Sequence, residues 1–285
     1  MDCRTDIALE RQEIQGENCE GVIVKKKKIG TAEITEVNII NVQGEKNLGK
    51  PIGKYITIDL PEFSHESELL DGRLKALVES LKSILPTIID KALVVGLGND
   101  NITPDALGPL CAEQIFSTRH IDKDFSDYLG VKKIISVSSV STGVLGQTGI
   151  ESAEYIKGIA EFVKPDVVIV IDALASRRLS RLGKTVQISN VGITPGSGVG
   201  NHRKSIDKEL LGIPVIAVGV PTVVDANTIV KDLSGKNAKD DVTEVMMVTP
   251  KDIDTVITRA ARLLSLSINC ALQPELNPDF FLAIS

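Results

Sequence analysis

Short apolar runs alternate with helix-like segments across residues 90–230, and this alternation constrains the fold more than any other feature of the chain. The runs at 92–96 and 167–171 are continuously apolar, which is typical of strands buried on both faces of a parallel sheet. Further strands are predicted at 134–140, 185–189 and 214–220, and a helix at 151–163. The pattern predicts a three-layer α/β fold, with a mostly parallel twisted sheet and helices on both of its faces.

The segments outside this core have weaker patterns. Strands at 21–24, 32–42 and 55–58 predict a small β-rich N-terminal portion, and the four lysines at 25–28 predict a solvated turn or a protected sheet edge. Residues 1–20 are polar, without periodicity, and predict a tail or a removable segment. Residues 231–248 are rich in Gly, Lys and Asp and predict a surface loop.

Prolines mark where several predicted helices begin or end. The apolar face of residues 66–85 ends at Pro86. Thr103 is predicted to cap a helix whose first residue is Pro104, because proline is favoured at the first helical position. Thr249 and Pro250 repeat this signature at the start of the C-terminal helix.

Composition excludes several classes of protein. Thirty-two Lys and Arg stand against 38 Asp and Glu, and there is no Trp, so neither a basic field nor stacking platforms for nucleic acid are expected. The four cysteines form no CxxC pair, which argues against a zinc ribbon or a disulfide framework. No apolar run reaches the length of a signal peptide core or a membrane span, so we expect a soluble intracellular protein without a membrane partner.

Two acids follow core strands directly and are the strongest candidates for chemistry. Asp105 comes after the strand at 92–96, and Asp172 comes after the strand at 167–171. Ligand sites of open α/β sheets lie beyond the carboxyl ends of the strands, where two carboxylates sharing a proton can activate one water as a general acid and base. The alternative is structural, with Asp105 as a first-turn acid favoured by a helix dipole and Asp172 as a strand-end cap.

The glycine-rich segments give weaker signals. Gly96 and Gly98 begin a dinucleotide-binding fingerprint, but Asn101 stands where its third glycine belongs. The loop at 195–201 lacks the Gly-Lys-Ser/Thr ending of a P-loop, and either lets an extended peptide approach closely or is a plain turn. The three histidines are isolated, so no metal site and no cofactor are expected.

Five motifs, in order along the chain, resemble those of the germination protease family of spore-forming bacteria. They are residues 96–99 with 103–109, then 144–151, 171–175, 195–201, and 212–217 with 221–226. The resemblance covers nearly the whole chain, although residues 231–248 are shorter than the same region of longer members. The core also looks like that of the hydrogenase-maturing endopeptidases, whose acids at two of these motifs recognise nickel.

This resemblance implies an endopeptidase that begins to degrade small acid-soluble spore proteins at germination. The family's acids match Asp105 and Asp172. The resemblance also implies a homotetrameric zymogen of the forespore and spore core, which matures by self-cleavage and meets DNA-coating proteins without binding DNA directly. A metal-dependent endopeptidase with the same acids as ligands remains the alternative, and a nucleotide-binding module and a non-catalytic assembly protein are two further ones.

The N-terminus carries a sequence that resembles the family's cleavage pattern, which is an acid, a large apolar residue, Ala, a variable residue and Glu. Asp6, Ile7, Ala8, Leu9 and Glu10 match it in order. We therefore predict self-cleavage between Asp6 and Ile7. The expected organisation is a propeptide at 1–6 and a single α/β peptidase domain at 7–285.

The two acids are expected to differ. Asp105, in the first turn of a helix, is predicted to be the ionised base, whereas desolvation should keep Asp172 protonated as the acid. The predicted substrate-binding wall consists of Asn99, Gly146, Gly196, Gly198 and Asn201.

Overall fold

The computed structural model describes residues 5–16, 19–63, 70–121, 127, 130–200, 203–234 and 246–284. In this part of the chain the strands are β1 (Val22–Ile29), β2 (Ala32–Ile39), β3 (Gly53–Asp59), β4 (Lys91–Gly96), β5 (Ser136–Ser141), β6 (Val167–Ser176), β7 (Thr185–Ser189), β8 (Val215–Asp225) and β9 (Met247–Val248). They form one sheet in the order β1-β2-β3-β7-β8-β6-β4-β5, with β9 paired to β8.

The sheet is mixed. Parallel pairing joins β5, β4, β6 and β8, so the expectation of a mostly parallel sheet holds for the half that contains the apolar core strands. The other described pairs are antiparallel, and the predicted β-rich N-terminal portion continues the same sheet through β3 and β7. The predicted lysine run lies within β1, an edge strand, where Lys27 pairs with Glu36 at 3.1 Å.

Helices cover both faces, which confirms the α/β fold class. They are α1 (Ala8–Gln15), α2 (Val42–Leu48), α3 (Gly72–Lys82), α4 (Leu107–Glu113), α5 (Leu145–Thr148), α6 (Ser152–Val163), α7 (Lys208–Leu211), α8 (Ala226–Ser234), α9 (Ile253–Leu272) and α10 (Pro278–Ile284). No described helix is long and apolar enough to cross a membrane.

Alternate side chains of each central strand pack against the helices on opposite faces of the sheet, because successive residues of a strand point to opposite faces. In β4, Ala92 and Val94 belong to the core beneath α3, α4, α9 and α10. Leu93 and Val95 belong to the opposite core, beneath α6 and α7. The same opposite face is covered by α1 and α2 further along the sheet. Such two-sided burial explains the uninterrupted apolar runs in the sequence.

The N-terminal segment differs from its prediction. Residues 8–15 form helix α1 rather than part of a tail, and Ile7 and Ala8 are completely buried. The segment contains too few apolar residues to show a helical period, and its position depends on contacts with the sheet. Helix α2 was also not predicted; Asn41 caps it by accepting a hydrogen bond from the N–H of Gly44 at 2.9 Å.

Two predicted helix starts are wrong in detail. Thr103–Asp105 is a single 3-10 turn, and α4 begins only at Leu107. Ile102 occupies the capping position before that turn, and no side chain caps it. Helix α9 begins three residues after Pro250, with Asp252 rather than Thr249 at its cap position. Each proline restricts its own φ without extending the helix back to the threonine.

The predicted loop at 231–248 is partly wrong. Residues 231–234 are the last turn of α8, and 247–248 form β9 against the end of β8. Residues 235–245 of this predicted loop lie outside the described residues. Residues 64–69 also lie outside them, so the start of the predicted helix at 66–85 is not described, and its later part is α3.

Candidate active site

Asp172 lies inside strand β6, not at its end as predicted. Gly96, the last residue of β4, pairs with Ile171, so Asp172 is the first residue of β6 beyond the end of that neighbouring strand. Strand β6 continues to Ser176 along β8 because the residues after Asp172 are still apolar. The side chain of Asp172 is only 6% exposed.

Asp105 reaches the same edge of the sheet from the 3-10 turn that follows β4. Gly98, with a φ of 114°, allows this turn to fold against the strand end, since an added Cβ would lie 2.0 Å from the carbonyl oxygen of Asp105. The N–H of Asn99 donates to Oδ2 of Asp105 at 2.7 Å. Gly98 therefore serves close backbone packing around an acid, rather than the nucleotide fingerprint that it partly matches.

Burial raises the pKa of Asp172 well above its usual range, and the charges of Asp105 and Asp6 raise it further. Burial also raises the pKa of Asp105, but the N–H of Asn99 and the charge of Arg203 act in the opposite direction. Asp172 is therefore the acid better placed to hold a proton. The predicted cause for Asp105, a helix dipole, is wrong, because α4 begins after it.

Both acids line one open cavity of about 390 Å³. Its wall also includes Gly196 of the glycine-rich loop and Arg203, which forms an ion pair with Glu151 at 3.4 Å. Among the described residues, no group of three or more His, Cys, Asp or Glu side chains is arranged to hold a metal ion.

Asp6 enters this cavity from the N-terminal segment. Its N–H donates to the carbonyl of Ala175 at 2.9 Å, and the N–H of Ala175 donates to Oδ2 of Asp6 at 2.9 Å. The hydroxyl of Ser197 donates to Oδ1 at 2.6 Å. The Asp6 side chain thus has a hydrogen-bond donor on each of its two oxygens.

The residues after Asp6 are also held in place by hydrogen bonds. Gln187 donates from Nε2 to the carbonyl of Asp6 at 2.9 Å and accepts from the N–H of Ala8 at 2.7 Å. Glu10, 1% exposed, accepts hydrogen bonds from the N–H groups of Arg177 and Arg178 at 2.7 and 3.0 Å. The predicted cleavage segment is therefore docked beside the two acids.

Comparison with known proteins places the chain in a family. The germination protease family model matches residues 3–235. The chain belongs to the germination protease family. It is 46% identical over 308 residues to the germination protease of Caldanaerobacter subterraneus subsp. tengcongensis, covering 96% of this chain and 95% of that one. As a germination protease it is an endopeptidase of spore germination.

Two other similar proteins differ in coverage. The germination protease of Clostridium tetani is 42% identical over 315 residues, covering 97% of both chains. Among solved structures, the NiFe hydrogenase maturation protease HycI of Thermococcus kodakarensis aligns with a TM-score of 0.40 and 21% identity, over 68% of this chain and 98% of that one.

Two of the predicted wall positions of this germination protease contact the cavity or its occupant. Gly196 lines the cavity. An added Cβ on Gly198 would lie 2.2 Å from Oδ2 of Asp6, so only glycine leaves room for the docked carboxylate. Both belong to the glycine-rich loop, which therefore packs against the N-terminal segment.

The remaining wall positions are placed differently. Asn99 holds Asp105 through its N–H and does not line the cavity. Gly146 is exposed on α5, where an added Cβ would meet nothing within 4 Å. Asn201 lies outside the described residues.

Four residues that contact Asp6 or line the cavity were not predicted: Ala175, Gln187, Ser197 and Arg203. Arg203 lies two residues after the glycine-rich loop at 195–201, and a cation at that place was the one available signal. Nothing in the sequence near Gln187 points to Asp6, because 181 residues separate them.

Proposed function

We propose that this germination protease is an aspartic-type endopeptidase in which Asp105 and Asp172 activate one water molecule. The observation that carries the proposal is the position of Asp6, the residue before the predicted cut, in the cavity that both acids line. The unequal environments of the two acids support their division of labour.

In the proposed step, ionised Asp105 takes a proton from water while the water oxygen bonds to the carbonyl carbon. The carbonyl electron pair moves onto oxygen, which protonated Asp172 stabilises. When the C–N bond breaks, the proton held by Asp105 passes to the leaving nitrogen, so the net reaction consumes one water and restores both acids. Such acid–base catalysis typically contributes about 10²–10⁴-fold to the rate.

We further propose that the chain is a zymogen and that it cuts itself between Asp6 and Ile7, releasing residues 1–6. The docking of residues 6–10 beside the acids supports this site over any other in the described N-terminus. N-terminal sequencing of matured protein should give Ile7 as the first residue. A different first residue would contradict the assignment.

The proposed substrates are small acid-soluble spore proteins, met in the forespore and spore core by a homotetramer without direct contact to nucleic acid. Membership of the germination protease family supports these assignments. Light scattering on the intact chain tests the tetramer, and digestion of a purified spore protein followed by mass spectrometry tests the substrate.

Substitution of the acids tests the proposed chemistry. Asp105→Asn and Asp172→Asn should each lower self-cleavage by at least about 10²-fold, the lower range for loss of a general acid or base. Asp100→Asn is the matched control, because Asp100 is an exposed acid of the same loop that does not line the cavity. Full activity of both acid variants would contradict the proposal. Activity that is abolished by chelators and restored by an added metal would instead favour the metal-dependent alternative.

A further inference from the structure

We propose that Gln187 is a further catalytic residue, whose amide N–H stabilises the oxygen of the carbonyl group that is attacked. The inference rests on the proposed self-cleavage at Asp6. Nε2 of Gln187 lies 2.9 Å from the carbonyl oxygen of Asp6, which belongs to the peptide bond predicted to be cut. This is an ordinary hydrogen-bond distance to the carbonyl oxygen of the intact peptide bond, so the donor is already in place before charge develops on that oxygen.

The orientation of the Gln187 amide is fixed by its two partners. The N–H of Ala8 can only donate, so the side-chain oxygen of Gln187 faces it, at 2.7 Å. The NH₂ group is therefore left to face the carbonyl of Asp6, which can only accept. The planar amide of Gln187 therefore contacts both the Asp6–Ile7 peptide unit and the Ile7–Ala8 peptide unit.

The register of the sheet places Gln187 opposite the catalytic acid. Gln187 of β7 and Asp172 of β6 are both paired with the same residue of β8, Gly219. Residues paired in this way point to the same face of a sheet, so the two side chains flank a position that has no side chain. Two strand spacings, about 10 Å in all, separate the backbones of β6 and β7. An added Cβ on Gly219 would lie 2.6 Å from Cγ of Leu174, so the side chain of Leu174 packs over Gly219, between the acid and the amide.

The proposed role involves no proton transfer to or from Gln187. As the water oxygen bonds to the carbonyl carbon, negative charge develops on the oxygen that Gln187 already contacts. A neutral amide donor fixed by β7 needs no reorganisation at that moment, and removal of one such donor typically costs about 10²–10³-fold in rate. Gln187 is 9% exposed, so little bulk water competes for the oxygen.

The test is the first-order rate of self-cleavage of the full chain carrying Gln187→Glu. At neutral pH this carboxylate still accepts from the N–H of Ala8 but cannot donate to the carbonyl. The rate should fall about 10²-fold. Ser189→Ala is the matched control, because Ser189 lies on the same strand and face, but its hydroxyl donates to the carbonyl of Gly192 at 3.4 Å rather than to Asp6. Its rate of self-cleavage should stay close to that of the wild type.

A pH series separates catalysis from docking. Protonation of the introduced Glu restores an O–H donor, so the deficit of Gln187→Glu relative to the wild type should shrink as the pH falls toward the carboxyl range near 4–5. A purely structural defect would not follow this titration. Gln187→Asn, whose amide is withdrawn by about one C–C bond of 1.5 Å, is the second variant and should be slow at every pH.

The outcomes distinguish this inference from the proposed function. Three outcomes would overturn the role of Gln187 and leave the two acids in place. They are near-wild-type rates for Gln187→Glu and Gln187→Asn, a deficit of Gln187→Glu that does not change with pH, and failure of both variants to fold. Full activity of the Asp105 and Asp172 variants would contradict the proposed function, whatever Gln187 does.

Discussion

Asp6 and Ala175 are joined by two hydrogen bonds of 2.9 Å, one through each backbone N–H. One bond fixes the backbone of the N-terminal segment beside β6, and the other holds the Asp6 carboxylate. Ser197 supplies a second donor to that carboxylate. Both oxygens of the docked Asp6 side chain therefore accept a hydrogen bond.

We expect Asp6→Asn to slow self-cleavage by about 10-fold or more, because hydrogen bonds to a charged group contribute about 1.5–3 kcal/mol each. The amide has one acceptor and would turn an NH₂ group toward one of two donors. Gel densitometry over time measures the rate. An unchanged rate would show that the site does not distinguish an acid from its amide.

Gly198→Ala should impair self-cleavage while leaving the fold intact. Its Cβ would lie 2.2 Å from Oδ2 of Asp6 and 2.7 Å from Cβ of Ala175, so the docked acid or the loop must move. A displacement of about 1 Å at a reacting group can cost about 10²-fold. Gly146→Ala is the matched control, because an added Cβ there meets nothing. Equal rates for the two variants would contradict the docking geometry.

Arg203→Gln should move the acid limb of the pH–rate profile to higher pH. The charge of Arg203 lowers the pKa of Asp105, so its removal raises that pKa, and the base is then protonated, and inactive, over a wider acid range. Lys204→Gln is the control, since Lys204 is paired with Glu154 at 3.6 Å on the surface. A shift of both profiles by the same amount would indicate a general charge effect.

Asp172→Asn should stabilise the intact chain at high pH. Because the folded-state pKa of Asp172 is raised, ionisation destabilises the folded state once the pH exceeds the ordinary carboxyl range, and the full cost is present above the raised pKa. The variant should therefore unfold at least about 2 °C higher at pH 8, the shift that roughly 1 kcal/mol gives in a domain of this size. The difference should disappear as the pH falls to about 3, below the ordinary Asp pKa of about 3.9, where the side chain is protonated in both states.

Asp166→Asn provides the control of opposite sign. The N–H groups of Lys91 and Asp90 lower the pKa of Asp166, so its ionised form stabilises the folded state. That variant should lose stability at neutral pH and approach the wild type as the pH falls. Thermal unfolding curves that do not depend on pH for Asp172→Asn would contradict the burial of an ionisable acid at this position.

The core and its two acids could be predicted because their signals are local. Strands β4, β6 and β8 contain uninterrupted apolar runs, and parallel strands end at the same edge of a sheet, which brings Asp105 and Asp172 together. The exact end of β6 could not be predicted, since Ala173 and Leu174 continue the apolar run past Asp172.

The contacts of the N-terminal segment could not be predicted because they are not local. Its cleavage sequence was recognised by resemblance, but helix α1 is stabilised by burial against β2 and β3 and against Leu174 of β6, which comes much later in the chain. Gln187 has no distinguishing neighbours in the sequence. Its importance follows from its hydrogen bonds to the Asp6 carbonyl and the Ala8 N–H, which only the folded chain brings together.

The crowding of Asp6, Asp105 and Asp172 around one cavity has a consequence for product release. A cut after Asp6 would create a new terminal carboxylate at a place where its own side chain and the dyad already carry negative charge. Like charges a few ångströms apart in a poorly hydrated site repel strongly. Repulsion between the new carboxylate and these charges would therefore drive residues 1–6 out of the cavity. The cavity would then be open to the next substrate chain.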